Sequence, residues 1–269
     1  MTHTADRHAA RAVTGVILIV WLATVSQAQV PAGDAAPEHP TFLSQYNFHL
    51  VAAALAEADP RFSWDAHLGG DIDVVDFVRG RVNLLADYEL LLGSQFQAFD
   101  PIQGNYTLEA SVLTRVGGSE VGAVFHHVSR HLGDRPKEFG VGWNVVGART
   151  QRRFANRATT VDLRAGAGWV IGRAYVDYQW TADVSMLARR QVRPATGVYV
   201  QASGELIGVD TERSDRPLQK GGRVEVGLRI EGHRAALDVF AGFERRIDAY
   251  LLERTAYDWP FAGFRLASR

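Results

Sequence analysis

Cysteine is absent from the 269 residues, and acidic and basic residues nearly balance at a net charge of −1. Without cysteine, no disulfide framework can hold the fold together. A near-neutral chain also lacks the basic excess with which proteins bind nucleic acid, so the composition predicts no nucleic-acid partner.

Long apolar runs are also missing beyond the N-terminus. The longest one, residues 50–56, falls far short of the roughly 18 residues that a membrane-spanning helix needs. Two architectures remain for the body of the chain. One is a soluble, exported all-β domain, and the other is a closed membrane barrel, in which strand pairing satisfies every backbone polar group.

The N-terminus has the pattern of a signal peptide over residues 1–28. Arg7 and Arg11 precede an apolar core at residues 12–25, and the small residues that end at Ala28 predict cleavage after it. An uncleaved membrane anchor is the alternative. Residues 29–60 follow, and their Pro/Ala-rich start and the helix-forming residues 52–57 predict a flexible leader with a short helix.

From Arg61 to Arg269 the sequence alternates apolar and polar residues between Gly, Asn, Asp and Pro turns. About eleven runs of roughly 10 residues predict strands long enough to cross a membrane. Because barrels of this kind usually have even strand numbers, we expect an antiparallel outer-membrane β-barrel of about 12 strands, with 10 possible. The undercounted strand is expected near Gly69-Gly70. A soluble exported β-domain stays as the alternative.

The alternation also predicts which way the side chains of one strand face. Tyr106, Leu108, Ala110 and Val112 share one parity and are predicted to face lipid. Residues 107, 109 and 111 on the other parity are predicted to face the interior, because an ionised glutamate facing hydrocarbon is costly.

The densest set of reactive side chains lies in residues 117–134. His127, Ser129 and His131 share one strand face, and His126 is on the other, where it is expected to meet lipid headgroups at the rim. Ser129 and His127 form a candidate nucleophile and base, because residues i and i+2 lie about 6.6 Å apart on the same face. The alternative is a polar strand face of solvated lining residues.

Metal binding by the same histidines is not predicted. On a strand, His127 and His131 lie roughly 13 Å apart, which is too far to share one ion. No metal and no other cofactor is therefore expected.

Two resemblances add to this interpretation. The segment His127-Val128-Ser129-Arg130-His131-Leu132-Gly133-Asp134-Arg135 resembles a His-x-Ser-Ser-His-x-Gly-Asp-Glu strand in a family of bacterial envelope proteins of unknown function. Residues 59–63 (DPRFS) and Asn105-Tyr106 resemble further segments of that family. Arg130 and Arg135 depart from the pattern, replacing a serine and a glutamate. The resemblance implies an outer-membrane barrel and no particular activity.

A looser similarity links His127-x-Ser129 to the lipid A deacylase barrels, which use a His-x-Ser pair and a downstream glutamate that orients the histidine. The similarity implies that Glu138, or else Asp134, would orient His127, although Glu138 is closer in sequence than in that family.

These observations favour a structural or pore-type outer-membrane protein. A lipid-modifying hydrolase that uses Ser129 and His127 is the alternative. The expected partners are outer-membrane lipid or lipopolysaccharide, whose phosphates the many loop arginines could meet, and the barrel-assembly machinery during insertion.

Overall fold

The computed structural model describes residues 39–136 and 139–268. The predicted signal peptide and residues 29–38 of the predicted leader lie outside the described residues. The strands are β1 Thr41–Phe42, β2 Tyr46–Leu55, β3 Trp64–Phe77, β4 Gly80–Gly93, β5 Asp100–Val116, β6 Ser119–Leu132, β7 Val141–Ala155, β8 Thr159–Ala174, β9 Tyr178–Arg193, β10 Thr196–Val209, β11 Gln219–Glu231, β12 Ala235–Arg246 and β13 Tyr257–Ser268. None of the described residues forms a helix with the length and hydropathy needed to cross a membrane.

Strands β2 to β13 form one closed antiparallel ring. Each strand pairs with its neighbours in sequence, and β2 closes the ring on β13 through pairs such as Ala53 with Gly263. The short β1 adds a two-residue pairing to β3. The prediction of a twelve-stranded antiparallel barrel is therefore confirmed.

The strand missing from the sequence count is β2, where the composition predicts a short helix. That prediction is wrong, as is the expected split at Gly69-Gly70, which lies within β3. From Leu50 to Leu55, strand β2 is apolar on both faces, since Val51 and Ala53 are buried inside and Leu50 is exposed outside. A segment with two apolar faces has no period-two signal, and the alternation of β2 is confined to residues 46–50. Ring closure then overrides the helix propensity of its alanines, because an open edge would leave backbone groups unpaired.

Alternate side chains face the outside and the interior of the barrel. On β5, Leu108 and Val112 are each 51% exposed, and Tyr106 is 47% exposed. Glu109 and Ser111 are buried on the opposite face. The predicted facing of this strand is confirmed.

The interior is crossed by ion pairs between strands. Arg246 donates to Asp65 across the barrel, with its Nη2 2.7 Å from Oδ2. Arg265 binds both carboxylate oxygens of Glu225, at 2.9 and 3.1 Å. Two cavities of about 670 and 480 Å³ remain between these side chains. The interior is thus polar, as a lumen enclosed by an apolar wall should be.

The two ends of the barrel differ. Residues 56–63, 94–99, 133–140, 175–177, 210–218 and 247–256 connect strands at one end, here called the long-loop end. Residues 78–79, 117–118, 156–158, 194–195 and 232–234 connect them at the other, the short-turn end, where β2 also begins and β13 ends.

The connection between β12 and β13 folds into the long-loop end. The Gln103 amide donates to the Ala249 carbonyl at 3.3 Å and accepts from the Leu251 amide at 2.7 Å. Arg130 donates to the Asp248 carbonyl at 2.7 Å. Arg130, one of the two departures from the envelope-protein pattern, thus anchors a loop inside the barrel. Apolar residues buried beside these contacts are Phe62, Leu91, Trp259 and Phe261.

Candidate functional site

Strand β6 carries the predicted cluster on its outer face, near the long-loop end. Phe125 is 42% exposed outside, whereas Val128 and Arg130 are buried inside. His127, Ser129 and His131 share the parity of Phe125, so they face outwards together. His126 faces the interior, with its Nδ1 3.5 Å from Oε2 of Glu109. The expectation that His126 meets lipid headgroups is therefore wrong, because this parity of β6 lines the lumen.

His127 is held by a residue of the next strand. Its Nδ1 lies 2.7 Å from Oδ1 of Asn144, and the two residues are directly paired between β6 and β7. A β-bulge between Asn144 and Val145 interrupts the register of β7 with β8. Bulges re-aim side chains and are frequent beside active sites.

A glycine on β8 leaves room for the asparagine amide. Gly172 pairs with Asn144, and a Cβ added to Gly172 would lie 3.2 Å from the Asn144 Nδ2. Such a contact is tighter than nine in ten real Cβ contacts. The absence of a side chain at this position therefore helps to keep the amide beside His127.

Ser129 is bonded to the other histidine of this face. Its Oγ lies 2.8 Å from Nε2 of His131. The His131 ring packs edge-on against Tyr106, with ring centroids 5.5 Å apart and an interplanar angle of 82°. The sequence predicts that His127 and Ser129 form a pair. The structure places both on one face, but His127 is hydrogen-bonded to Asn144 and Ser129 to His131.

The two carboxylates considered as orienting groups have different outcomes. Asp134 lies in the loop after β6 with φ at 46°, and among the described contacts the partner of His127 is Asn144 instead. Glu138 lies outside the described residues. The sequence does not predict Asn144, because the resemblance implies a carboxylate in this role. The pairing of His127 with Asn144 depends on the register between β6 and β7. That register cannot be deduced from the sequence across such a long connection.

The surroundings of this cluster are apolar. Outward neighbours on β5, β6 and β7 include Leu108, Phe125 and Val146, each more than two-fifths exposed. Polar and ionisable side chains that face hydrocarbon are costly and are functional candidates by default. The outer cluster of His127, Ser129, His131 and Asn144 faces outwards among apolar side chains. The alternative interpretation of these residues as solvated lining therefore does not account for them.

A second cluster inside the barrel has the donor types of a metal site. Ligand atoms of Asp65, His67 and Glu89 lie within 4.8 Å of one another. Arg246 pairs with both carboxylates, at 2.7 Å from Asp65 and 2.7 Å from Glu89. A guanidinium paired with both carboxylates compensates the charge that a cation would otherwise balance, so the contacts fit an ion-pair network better than a metal centre.

Comparison with known proteins identifies the fold. No protein-family model matches the chain, and neither does any curated protein sequence. The outer membrane phospholipase dimer of Salmonella typhi with bound calcium is 11% identical, with a TM-score of 0.52 over 83% of this chain and 90% of that chain. An Escherichia coli outer membrane phospholipase A with an active-site asparagine changed to alanine is 11% identical, with a TM-score of 0.51 over 91% and 95%. An outer membrane channel from Pseudomonas putida F1 is 11% identical, with a TM-score of 0.53 over 89% and 99%.

The chain is an outer-membrane β-barrel. Such barrels place short turns on the periplasmic side and longer loops on the extracellular side. The long-loop end is therefore the extracellular end, and the outer cluster lies in the extracellular half of the lipid-facing surface. The neighbours include enzymes and a channel, so the fold does not choose between these functions.

Proposed function

We propose that this barrel hydrolyses carboxylic esters of lipids in the outer leaflet, with Ser129 as nucleophile, His127 as general base and Asn144 as the residue that orients His127. The observation that carries the proposal is the 2.7 Å contact of His127 with Asn144, beside Ser129 on the lipid-facing surface. Nucleophile, base and orienting group are the three parts of a serine hydrolase site.

The contact with Asn144 fixes the useful tautomer of His127. An amide oxygen accepts the proton of Nδ1, which leaves the lone pair of Nε2 free to take a proton from serine. A neutral amide also suits this location better than a carboxylate does, because an ionised side chain facing hydrocarbon costs several kcal/mol.

The contact of Ser129 with His131 is compatible with a role for His127 as its base. A hydroxyl accepts two hydrogen bonds and donates one. If the His131 Nε2–H donates to Ser129 Oγ over the observed 2.8 Å, the single serine proton stays available to His127. The two residues are i and i+2 on one strand face, about 6.6 Å apart along the strand, so their side chains can meet.

The position of the site selects the substrate class. A lipid in the outer leaflet can diffuse sideways to the outer cluster and present its acyl ester without leaving the membrane. Phospholipids and lipid A both carry such esters. The solved phospholipases of this fold support the proposal, since one of them has an active-site asparagine.

A channel is the second candidate, and the interior cavity of about 670 Å³ favours it. The contacts of Gln103 and Arg130 with the inserted β12–β13 connection oppose it, because they occupy the extracellular end. Planar-bilayer recordings of the purified protein distinguish the two functions. A steady open conductance in both the wild-type protein and Ser129→Ala would favour the channel.

The test of the hydrolase uses purified full-length barrel in vesicles that contain either phospholipid or lipid A. Mass spectrometry should detect released fatty acid in one of the two arms. Ser129→Ala should abolish release, and Asn144→Ala should lower the rate by about 10²-fold, since it removes the support of the general base. Asp134→Asn is the matched control and should retain full activity. Equal release from the wild-type protein and Ser129→Ala would refute the proposal.

A further inference from the structure

The nucleophile lies in the middle of a strand that is paired on both sides. Ser129 pairs with Tyr106 on β5 and with Gly142 on β7, and the next residue, Arg130, is likewise paired on both sides. Beyond the strand, the Gly133 amide donates to the Ile102 carbonyl at 2.9 Å. The backbone N–H groups of Ser129 and Arg130 are thus committed to the sheet.

This commitment creates a requirement for the proposed reaction. Attack on an ester puts negative charge on the carbonyl oxygen, and serine hydrolases stabilise it with hydrogen-bond donors that are already in place. Many of them use the backbone amides of the nucleophile and of the residue after it, but here the amides of Ser129 and Arg130 are bound within the sheet. A side-chain donor within reach of Ser129 is then the nearest group that can supply the contact.

We infer, building on the proposed function, that His131 is this donor and therefore a catalytic residue. Its Nε2 lies 2.8 Å from the Ser129 Oγ, the atom that bonds to the substrate carbon. The edge-on packing against Tyr106 holds the imidazole ring in place, so little reorganisation is needed when the charge develops. Ser129 then lies between its base at position i−2 and its oxyanion donor at position i+2.

The reaction balances with these groups alone. The Ser129 proton moves to Nε2 of His127 as Oγ bonds the ester carbon, and the carbonyl electron pair moves onto its oxygen, which accepts a hydrogen bond from the His131 Nε2–H. When the electron pair returns, the bond to the alcohol breaks and the alcohol leaves with the proton of His127. Water then attacks the acyl-serine in the same way and releases the fatty acid.

The test compares His131→Phe, which keeps a ring but has no donor, with His131→Gln, which keeps a donor. The detergent-solubilised full chain is assayed with a medium-chain p-nitrophenyl ester, and heat-modifiable gel migration confirms that each variant is folded. His131→Phe should lower kcat by about 10²- to 10³-fold with little change in KM. His131→Gln should recover a substantial part of that loss, and labelling of Ser129 by an alkyl fluorophosphonate should follow the same order.

Three outcomes would overturn the inference. If His131→Phe keeps the wild-type kcat while Ser129→Ala is inactive, His131 has no such role and the proposed hydrolase stands. If His131→Gln is as inactive as His131→Phe while His127→Gln stays active, His131 is the base instead. Activity that survives in Ser129→Ala overturns the proposed function and this role together.

Discussion

His126 and His127 are adjacent in sequence, but the two faces of β6 give them opposite surroundings. His126 faces the lumen, 3.5 Å from Glu109, and that glutamate also pairs with Arg149. His127 faces lipid and contacts an uncharged partner, Asn144. The inner histidine belongs to a network of charges, whereas the outer one belongs to a small cluster of His127, Ser129, His131 and Asn144 surrounded by apolar side chains.

This contrast shows where a polar residue of a barrel carries functional information. Inside, polar residues are what a water-filled or ion-paired lumen requires, so the interior pairs follow from the architecture alone. Outside, the same residue types oppose the preference of the wall for apolar side chains. A functional interpretation therefore rests better on the outer cluster than on the more numerous polar groups within.

The largest expected effect tests whether the outer cluster acts as one unit. His127→Ala and Ser129→Ala should each lower ester hydrolysis by at least about 10⁴-fold. The double variant should lose little more than either single one, because removing one member already disables the other. Initial rates of fatty-acid release measure this. Losses that multiply in the double variant would show that the two residues act independently.

The sequence predicted much of this contrast. The period-two pattern of residues 106–112 assigned the faces of β5 correctly, and the same parity put His127, Ser129 and His131 together on β6. It failed for β2, because residues 50–55 are apolar on both faces and confine the alternation to the first five residues of the strand. It also failed for Asn144, whose pairing with His127 depends on the register between β6 and β7 and on a bulge. Neither the register nor the bulge can be deduced from the neighbouring residues, because both depend on how the strands pair in the closed ring.

The next largest effect concerns the inner network. Glu109→Gln leaves the buried Arg149 without its carboxylate. Removing one partner of a buried ion pair typically costs about 3 kcal/mol or more. The barrel should therefore unfold at a lower temperature, measured by its heat-modifiable gel migration, while ester hydrolysis at 25 °C stays within about twofold.

Glu205→Gln is the matched control for that experiment. Glu205 also lines the cavities, and among the described residues it makes no ion pair. Its substitution should change the unfolding temperature little. If Glu109→Gln abolished hydrolysis without loss of stability, the separation between an inner structural network and an outer reactive cluster would be wrong.

The smallest expected effect concerns the ion pairs of Arg61 in the loops at the extracellular end. Arg61 bonds Asp59 at 2.6 Å and Glu253 at 2.5 Å, and so ties the β2–β3 connection to the β12–β13 connection. Hydrogen bonding to Arg61 lowers the pKa of Asp59 below its usual value. The unfolded loop therefore binds the proton more readily than the folded one. The stabilisation of the folded loop by the Asp59–Arg61 contact is complete above about pH 4. It is lost as the pH falls through the lowered pKa of Asp59.

Hydrogen exchange of the residue 58–63 amides between pH 6 and pH 3, corrected for intrinsic exchange rates, measures this stabilisation. Protection in the wild-type protein should fall on acidification by less than about tenfold, as expected for a partly exposed pair. In Asp59→Asn, protection should be low at pH 6 and change little with pH. Ester hydrolysis assayed at neutral pH should not differ between the two proteins, because the outer cluster makes none of these contacts. A parallel loss of hydrolysis in Asp59→Asn would instead show that the extracellular loops and the outer cluster are coupled.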